Sequence, residues 1–231
     1  FMPLTIFKNI EGKFQLNKNN GLNQQTGFWN SLAAGDFDQD GDLDFVAGNL
    51  GLNSQINASK ENPFRIYYGD FDKNGSIDVI PSMWRKSISG EKKEFPFFTR
   101  TDIEKQIIKV KKAYKKHEDF GKATLDQIIG LFPNVDTKIK EVKEIRSMYV
   151  ENLGEGKFSL KPLPRRFQIA PIFGMQTGDF NGDGTLDILA VGNDYGAEIR
   201  TGRLDAFNGG LLAGNGKGEF TELDMAKSCL L

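Results

Sequence analysis

Asp36, Asp38, Asp40, Asp42 and Asp44 alternate through the stretch GDFDQDGDLDF, five carboxylates within nine residues. At about 6 Å each neighbouring pair costs roughly 0.7 kcal/mol even at the dielectric of water. Such a loop calls for a counter-charge. Numbered from Asp36, the side chains at positions 1, 3, 5 and 9 are Asp36, Asp38, Asp40 and Asp44. Gly41 at position 6 allows a sharp turn, and the carbonyl of Asp42 at position 7 can point inward. The result is an oxygen cage suited to calcium, a hard cation that takes about 6–8 oxygen ligands. Magnesium, which prefers near-ideal octahedra with several retained waters, is the weaker match.

Two further stretches repeat the pattern. GDFDKNGSIDVI supplies Asp70, Asp72, Asn74 and Asp78 with the carbonyl of Ser76, and GDFNGDGTLDILA supplies Asp179, Asn181, Asp183 and Asp187 with that of Thr185. Up to three calcium ions are expected. The first loop, with four carboxylates against three in each of the others, should bind tightest. Position 9 is always Asp and is expected to close the cage. The loops are not EF-hands, because position 12 is Ala47, Pro81 or Ala190 where an EF-hand has a bidentate Glu. Asp-Gly and Asn-Gly are also ordinary turn signals. A plain acidic turn, however, does not explain oxygen side chains at 1, 3, 5 and 9 in all three copies. Phe37, Phe71 and Phe180 at position 2, with Leu43, Ile77 and Leu186 at position 8, are the expected inward anchors.

The elements that position these loops are read as short strands. IFKNIEGKF, YVENLGEGKF and LLAGNGKGEF each read as a strand, a Gly/Asn turn and a Phe that opens the returning strand. Phe158 and Phe220 lie 62 residues apart, so both motifs belong to one unit of about 60 residues, a size suited to a four-stranded propeller blade. With 26 Gly and 19 Phe in 231 residues, composition agrees with an all-β repeat. The period breaks between the second and third loops. There TDIEKQIIKVKKAYKKHEDF and TKIKEVKEIRSM are rich in Lys, Glu and Ile, with Ile103, Ile107, Val110 and Tyr114 at helical spacing. Thr101 or Asp102 is expected to cap the first helix and Gly121 to close it, and a short helix is expected around Thr124–Leu131. The predicted fold is all-β, with β-propeller-like blades forming part of a propeller. Its segments are β repeats over 1–98 and 148–231, separated by a helical insertion at 99–147. The chain opens at Phe1 and breaks off within a repeat, as an excised or processed piece would.

Several function classes lack their residues. The 30 basic and 31 acidic residues argue against a dedicated nucleic-acid or membrane-surface protein, and no apolar run approaches a membrane span. Cys229 is the single cysteine and His117 the single histidine, which removes disulfides, Cys-based zinc sites and His-pair metal motifs. No nucleophile-elbow, P-loop or dinucleotide fingerprint occurs, and no catalytic residue is assigned. Lys109, Lys111, Lys112, Lys115 and Lys116 form a basic cluster that reads most simply as a solvated helix face.

The three Asp loops and the strand–turn–Phe units resemble FG-GAP or VCBS repeats, related to the propeller of integrin α subunits. FWNSLAAGDFDQDGDLDFVAGNLGLNSQ and PIFGMQTGDFNGDGTLDILAVGNDYG are similar to segments of long bacterial extracellular proteins of this type, some ending in an ASPIC/UnbV domain. The resemblance implies a β-propeller, calcium in the blade loops and export to the periplasm or cell surface. It supplies no reaction. The expected function is glycan or protein binding, as in adhesion, with calcium structural. Trp29, Trp84, Tyr67, Tyr68 and Tyr195 are candidate contact residues. The alternative is a carboxylate-dependent, polysaccharide-active enzyme domain using Glu94, Asp194, Glu198 or Asp205.

Overall fold

The computed structural model describes residues 1–197 and 201–223. Its first strands are β1 (Met2–Pro3), β2 (Phe7–Ile10), β3 (Lys13–Leu16), β4 (Thr26–Gly27), β5 (Ser31–Gly35) and β6 (Asp44–Gly48). There follow β7 (Phe64–Gly69), β8 (Asp78–Lys86) and β9 (Lys92–Pro96), then four short helices, α1 (Arg100–Gln106), α2 (Ile108–Ala113), α3 (His117–Lys122) and α4 (Leu125–Ile129). The remainder is β10 (Lys138–Val142), β11 (Met148–Asn152), β12 (Phe158–Pro162), β13 (Ile172–Gly178), β14 (Asp187–Gly192), β15 (Gly210–Gly214) and β16 (Phe220–Glu222). Among the described residues no helix is long and apolar enough to cross a membrane.

Three open, antiparallel, four-stranded sheets of blade size carry the structure, in the orders β12-β11-β6-β5, β10-β7-β8-β9 and β13-β14-β15-β16. The fold is all-β with propeller-like blades, as in part of a propeller. Each sheet contains one Asp loop, as the connection β5–β6, β7–β8 or β13–β14. The chain divides into two compact units. One comprises Phe1 and Ile56–Lys143, the other Met2–Gln55 and Glu144–Leu231. The sheet with the second loop and all four helices therefore interrupts, in sequence, the blade that begins with β5 and β6 and ends with β11 and β12.

The strand–turn–Phe segments form the hairpins β2–β3, β11–β12 and β15–β16. The first turns on Glu11 (φ 51°) and Gly12 (φ 81°), the positive-φ pair that a two-residue turn needs to match strand twist. In the unit of β5, β6 and β11–β16, Phe37, Val46, Tyr149, Phe167, Ile172, Ile188, Phe207 and Leu212 fill the core. In the other unit Tyr67 and Ile80 from the sheet, Phe71 from the loop, and Ile103, Ile107, Val110, Leu125 and Ile128 from the helices do so.

The middle segment departs from expectation. Helix ends at Ile129, and Lys138–Val142 within 99–147 is a strand paired with β7. The open edge of β7 decides the matter, because its ladder pairs the segment's backbone, and tertiary context overrides a short periodic signal. Nor does Thr101 or Asp102 occupy the N-cap position of α1. Thr99 does, and Asp102 reaches back to accept the Thr99 N–H at 3.1 Å. Gly121 lies inside α3, and α1 stops at Ile107. The short helix near Thr124 is present as α4, with Thr124 N–H donating to Gln127 Oε1 at 3.0 Å.

Candidate metal centres in the Asp loops

A ladder of local hydrogen bonds shapes all three loops. The position-1 carboxylate accepts the N–H of the position-6 glycine, Asp36 from Gly41 at 3.1 Å, Asp70 from Gly75 at 2.9 Å and Asp179 from Gly184 at 2.9 Å. The position-3 side chain accepts from position 5, and position 5 from position 7, as in Asp40→Asp38 (3.3 Å) and Asp42→Asp40 (2.9 Å). The second and third loops repeat both rungs. These Asx turns bend the backbone around the side-chain oxygens; Asp70 and Asp179 accept through both oxygens, Asp36 through Oδ2. Positive φ recurs at position 4 (Gln39 60°, Lys73 60°, Gly182 79°) and at position 6 (Gly41 93°, Gly75 87°, Gly184 85°). Two of these six residues are not glycine and hold a left-handed conformation that usually costs about 1 kcal/mol or more.

In the first loop Asp36, Asp38 and Asp40 each bring a carboxylate oxygen within 4.8 Å of the others. Asp70, Asp72 and Asp78 do the same in the second. Asp36 Oδ1 and Asp42 Oδ1 are buried with no hydrogen-bond partner, the condition that a directly bound hard cation relieves. Burial, and then the charge of Asp44, raise the pKa of Asp38. Burial, and then the charge of Asp40, raise that of Asp42. Asp78 is raised by burial and by its neighbours Asp72 and Asp70, against the Phe71 N–H that bonds it. Crowded, desolvated carboxylates fit a divalent cation, which would reverse each of these shifts.

Position 9 has a further role that the spacing did not reveal. Asp44 is fully buried, and its Oδ2 accepts the hydroxyl of Tyr149 at 2.6 Å and the N–H of Phe37 at 3.3 Å, while Oδ1 accepts the N–H of Asn152 at 2.7 Å. Asp44 lies outside the triad of clustered oxygens. Asp78 accepts the N–H of Phe71 at 3.0 Å and Asp187 that of Phe180 at 2.9 Å, so each position-9 carboxylate ties its own loop shut. Asp187 also accepts the N–H of Gly214 at 3.1 Å. Asn152 and Gly214 each close a strand six residues before the hairpin Phe, at Phe158 and Phe220. That shared spacing was the available signal. In the first and third loops the end of the strand that opens the hairpin thus pairs the position-9 carboxylate.

The anchors divide. Phe37 is buried against Tyr149 and Phe220, with ring centroids 6.0 and 5.4 Å away, and Phe71 is buried against Phe132 at 5.3 Å. Phe180 is 46% exposed and meets no aromatic ring among the described residues. Leu43 and Ile77 are exposed, contrary to expectation, and Leu186 is half-buried. Strand alternation accounts for the first two: position 9 faces the core, so position 8 faces solvent.

The third loop differs in its side chains. Asn181 Nδ2 donates to Asp183 Oδ2 at 2.9 Å, and the Thr185 hydroxyl lies 2.6 Å from Asp183 Oδ1 and 2.9 Å from the Gly214 carbonyl. These bonds, chiefly that from Thr185, hold the Asp183 carboxyl below its ordinary range. Its carboxylates are satisfied within the loop rather than gathered into a cluster.

The remaining candidates scatter. Glu94 is buried and held by Ser82 at 2.6 Å, Arg65 at 3.0 Å and Tyr67 at 3.3 Å, and Arg65 also pairs with Glu141 at 3.4 Å. Burial first, and then Glu94, push the Tyr67 phenol up to about 12. Asp194 accepts the Gly196 N–H at 2.8 Å, Asp205 is exposed, and Glu198 and Cys229 lie outside the described residues. Tyr67 is a core residue and Trp29 packs on the Leu22–Ala47–Val150 cluster, leaving Tyr195 exposed. Trp84 lies under the Arg65 guanidinium, and Tyr68 is half-buried in β7. The Lys cluster is dispersed, with Lys109 over the Phe132 ring and Lys111 paired with Glu104 at 3.7 Å.

Residues 28–58, which contain the whole first loop with β5 and β6, match the FG-GAP repeat family. No curated protein and no solved structure matches the chain. FG-GAP repeats are non-enzymatic structural modules, and the arrangement just described, a carboxylate loop joining two blade strands, is the part of the chain that the match covers. Over residues 28–58 the chain is thus similar to an FG-GAP repeat.

Proposed function

We propose that this chain is an extracellular calcium-binding repeat module that recognises glycan or protein, with calcium as structural cement in its Asp loops. The observation that carries the reading is the buried, unpartnered Asp36 Oδ1, a member of the Asp36–Asp38–Asp40 cluster. Asp36, Asp38, Asp40 and the Asp42 carbonyl would hold the first ion, with Asp44 fixing the loop beneath them. Asp70, Asp72, Asn74, Asp78 and the Ser76 carbonyl would hold the second. Asp179, Asn181, Asp183, Asp187 and the Thr185 carbonyl would hold a third, more weakly, because there the ion competes with the bonds from Asn181 and Thr185 to Asp183. The bound cation supplies charge neutralisation, and the side chains supply the shape. FG-GAP repeats are typical of extracellular proteins, where calcium is abundant enough to fill sites of roughly 10⁻⁴–10⁻³ M. In this reading the segments 1–98 and 148–231 are FG-GAP/VCBS β repeats, and 99–147 is an addition between them.

Calorimetric titration with calcium, paired with thermal melts in calcium and in excess chelator, tests the proposal. Two strong sites, a weaker third and a melting temperature several degrees higher in calcium are expected. No heat and coincident melts would reduce the loops to acidic turns and remove the physical support for the reading.

A further inference from the structure

The unit formed by Phe1 and residues 56–143 contains a cavity of about 260 Å³ that involves none of the Asp-loop side chains. Arg85, Arg100 and His117 line it together with the rings of Phe95, Phe98 and Phe120. A second cavity, of about 340 Å³, shares Phe95 and Gly121 with the first and adds Lys86, Lys93 and Lys122. No described carboxylate lines either one.

The cations in the first cavity are not equivalent. Most of the Arg100 guanidinium is engaged within the fold, although its buried Nε has no hydrogen-bond partner. Its Nη1 donates to the carbonyls of Tyr114 and Lys115, both at 3.0 Å, and its Nη2 lies 3.0 Å from His117 Nε2 and 3.5 Å from Glu104. A guanidinium only donates, so in this contact His117 Nε2 is the acceptor. Glu104 balances the charge of Arg100. Arg85 has no such balance. Its Nη2 donates to the Pro96 carbonyl at 2.7 Å and its Cζ lies 5.7 Å from the centre of the Phe95 ring. Among the described residues no acid comes within ion-pair reach of this solvent-exposed side chain, and desolvation of its inner part without a counter-charge pulls its pKa below the usual guanidinium range.

We propose that this cavity binds a carboxylate carried on a six-membered ring, a uronate sugar or an aryl carboxylate. One unbalanced positive charge lines the cavity, and one carboxylate neutralises it. The planar fork of a guanidinium meets a carboxylate through two parallel N–H bonds. The Phe rings offer flat apolar faces to a ring-sized body, for which the volume has room. Lys86 extends the positive lining into the second cavity, while Lys93 and Lys122 there are paired with Glu91 and Glu118. The proposal rests on the reading of the chain as a binding module and names a ligand class for it. It uses no loop residue, so its failure leaves the calcium titration untouched, and the converse holds.

The test is an NMR titration of the calcium-saturated protein, following the backbone amides and the Nε–H of Arg85. The probes are sodium glucuronate and sodium benzoate, with glucose and benzyl alcohol as neutral counterparts. At least one carboxylate should bind in the millimolar range and shift Arg85 Nε–H together with the amides around Phe98 and His117. Its neutral counterpart and the variant Arg85→Gln should bind at least tenfold more weakly. Binding of glucuronate supports an acidic glycan as the source, and binding of benzoate alone supports an aryl ligand. If neither carboxylate shifts these signals, if the neutral probes match them, or if Arg85→Gln binds like the wild type, the proposal falls. The comparison of charged and neutral probes on the unaltered protein needs no variant to fold.

Discussion

Replacing Asp44 and replacing Asp40 should have opposite signatures, although the two residues lie in one loop and share one side-chain chemistry. Asp44 is buried and accepts from Tyr149, Asn152 and Phe37. In Asp44→Asn the amide NH₂ must take the place of one oxygen. Facing Asn152 or Phe37, it leaves a backbone N–H in the interior without an acceptor; only the Tyr149 hydroxyl can rotate to accommodate it. An orphaned buried donor costs about 1–3 kcal/mol, and loss of charge assistance weakens the surviving bonds. A total near 3 kcal/mol lowers the melting temperature of a chain of this size by about 6–12 °C. The loss should be the same in chelator as in calcium, because these bonds are made without the ion. Asp40→Asn keeps the oxygen that accepts the Asp42 N–H at 2.9 Å and relieves repulsion that raises the Asp42 pKa. In chelator it should melt at or slightly above the wild-type temperature, and only the increment added by calcium should shrink. Scanning calorimetry of both variants with and without calcium decides between the two roles. If Asp44→Asn in chelator melts within a degree of the wild type, or if Asp40→Asn loses stability there, the division between a scaffold carboxylate and cation-facing carboxylates is wrong.

Acid should act on the calcium-free loops in a defined direction. Asp38 has a raised folded-state pKa, so it binds its proton more readily folded than unfolded. Its penalty at neutral pH fades as pH falls through that raised value and is gone below the unfolded value near 4. Asp38→Asn in chelator should therefore out-melt the wild type at pH 7, and the gap should close toward pH 4; a gap independent of pH would exclude the charge explanation. Asp183, with its pKa lowered, behaves oppositely, stabilising above the ordinary carboxylate range and losing that contribution as pH falls through the lowered value. Thr185→Val should diminish this acid-labile contribution, as read from the difference between the two proteins' melts. Lys73→Gly should stabilise the protein by about 0.5–1 kcal/mol, because φ is 60° there and the third loop already uses Gly182 at that position. Gly41→Ala should cost about 1–2 kcal/mol from backbone strain alone, since an added Cβ meets no atom within 4 Å; denaturant midpoints would measure both.

The sequence made the recurrent parts of this protein legible because each is fixed locally. Asx side chains at alternate positions and a glycine at position 6 fold on themselves whatever surrounds them, and the Glu11–Gly12 pair sets its hairpin without outside help. What spacing did not reveal depended on partners distant in the chain. Lys138–Val142 has a helical look until the open edge of β7 is known to lie more than 60 residues earlier. The spacing that makes Asp44 a candidate cage ligand carries no sign of its bonds to Tyr149 and Asn152, over 100 residues later.

The three loops show how far a shared pattern determines a site. Backbone geometry is common to all of them: positive φ at positions 4 and 6, the same rungs, the same bond from position 2 to position 9. Charge geometry is not. A side chain at position 3 that only accepts, as in Asp38 and Asp72, leaves three carboxylate oxygens within 4.8 Å of one another. Asn181 at that position carries its own donor and spends it on Asp183, and Thr185 adds a second. Two neutral donors thus supply within the third loop the compensation that the first two must find outside it. The ladder preserves the fold of the loop in either case, while the residues between its rungs set how strongly that loop calls for a metal.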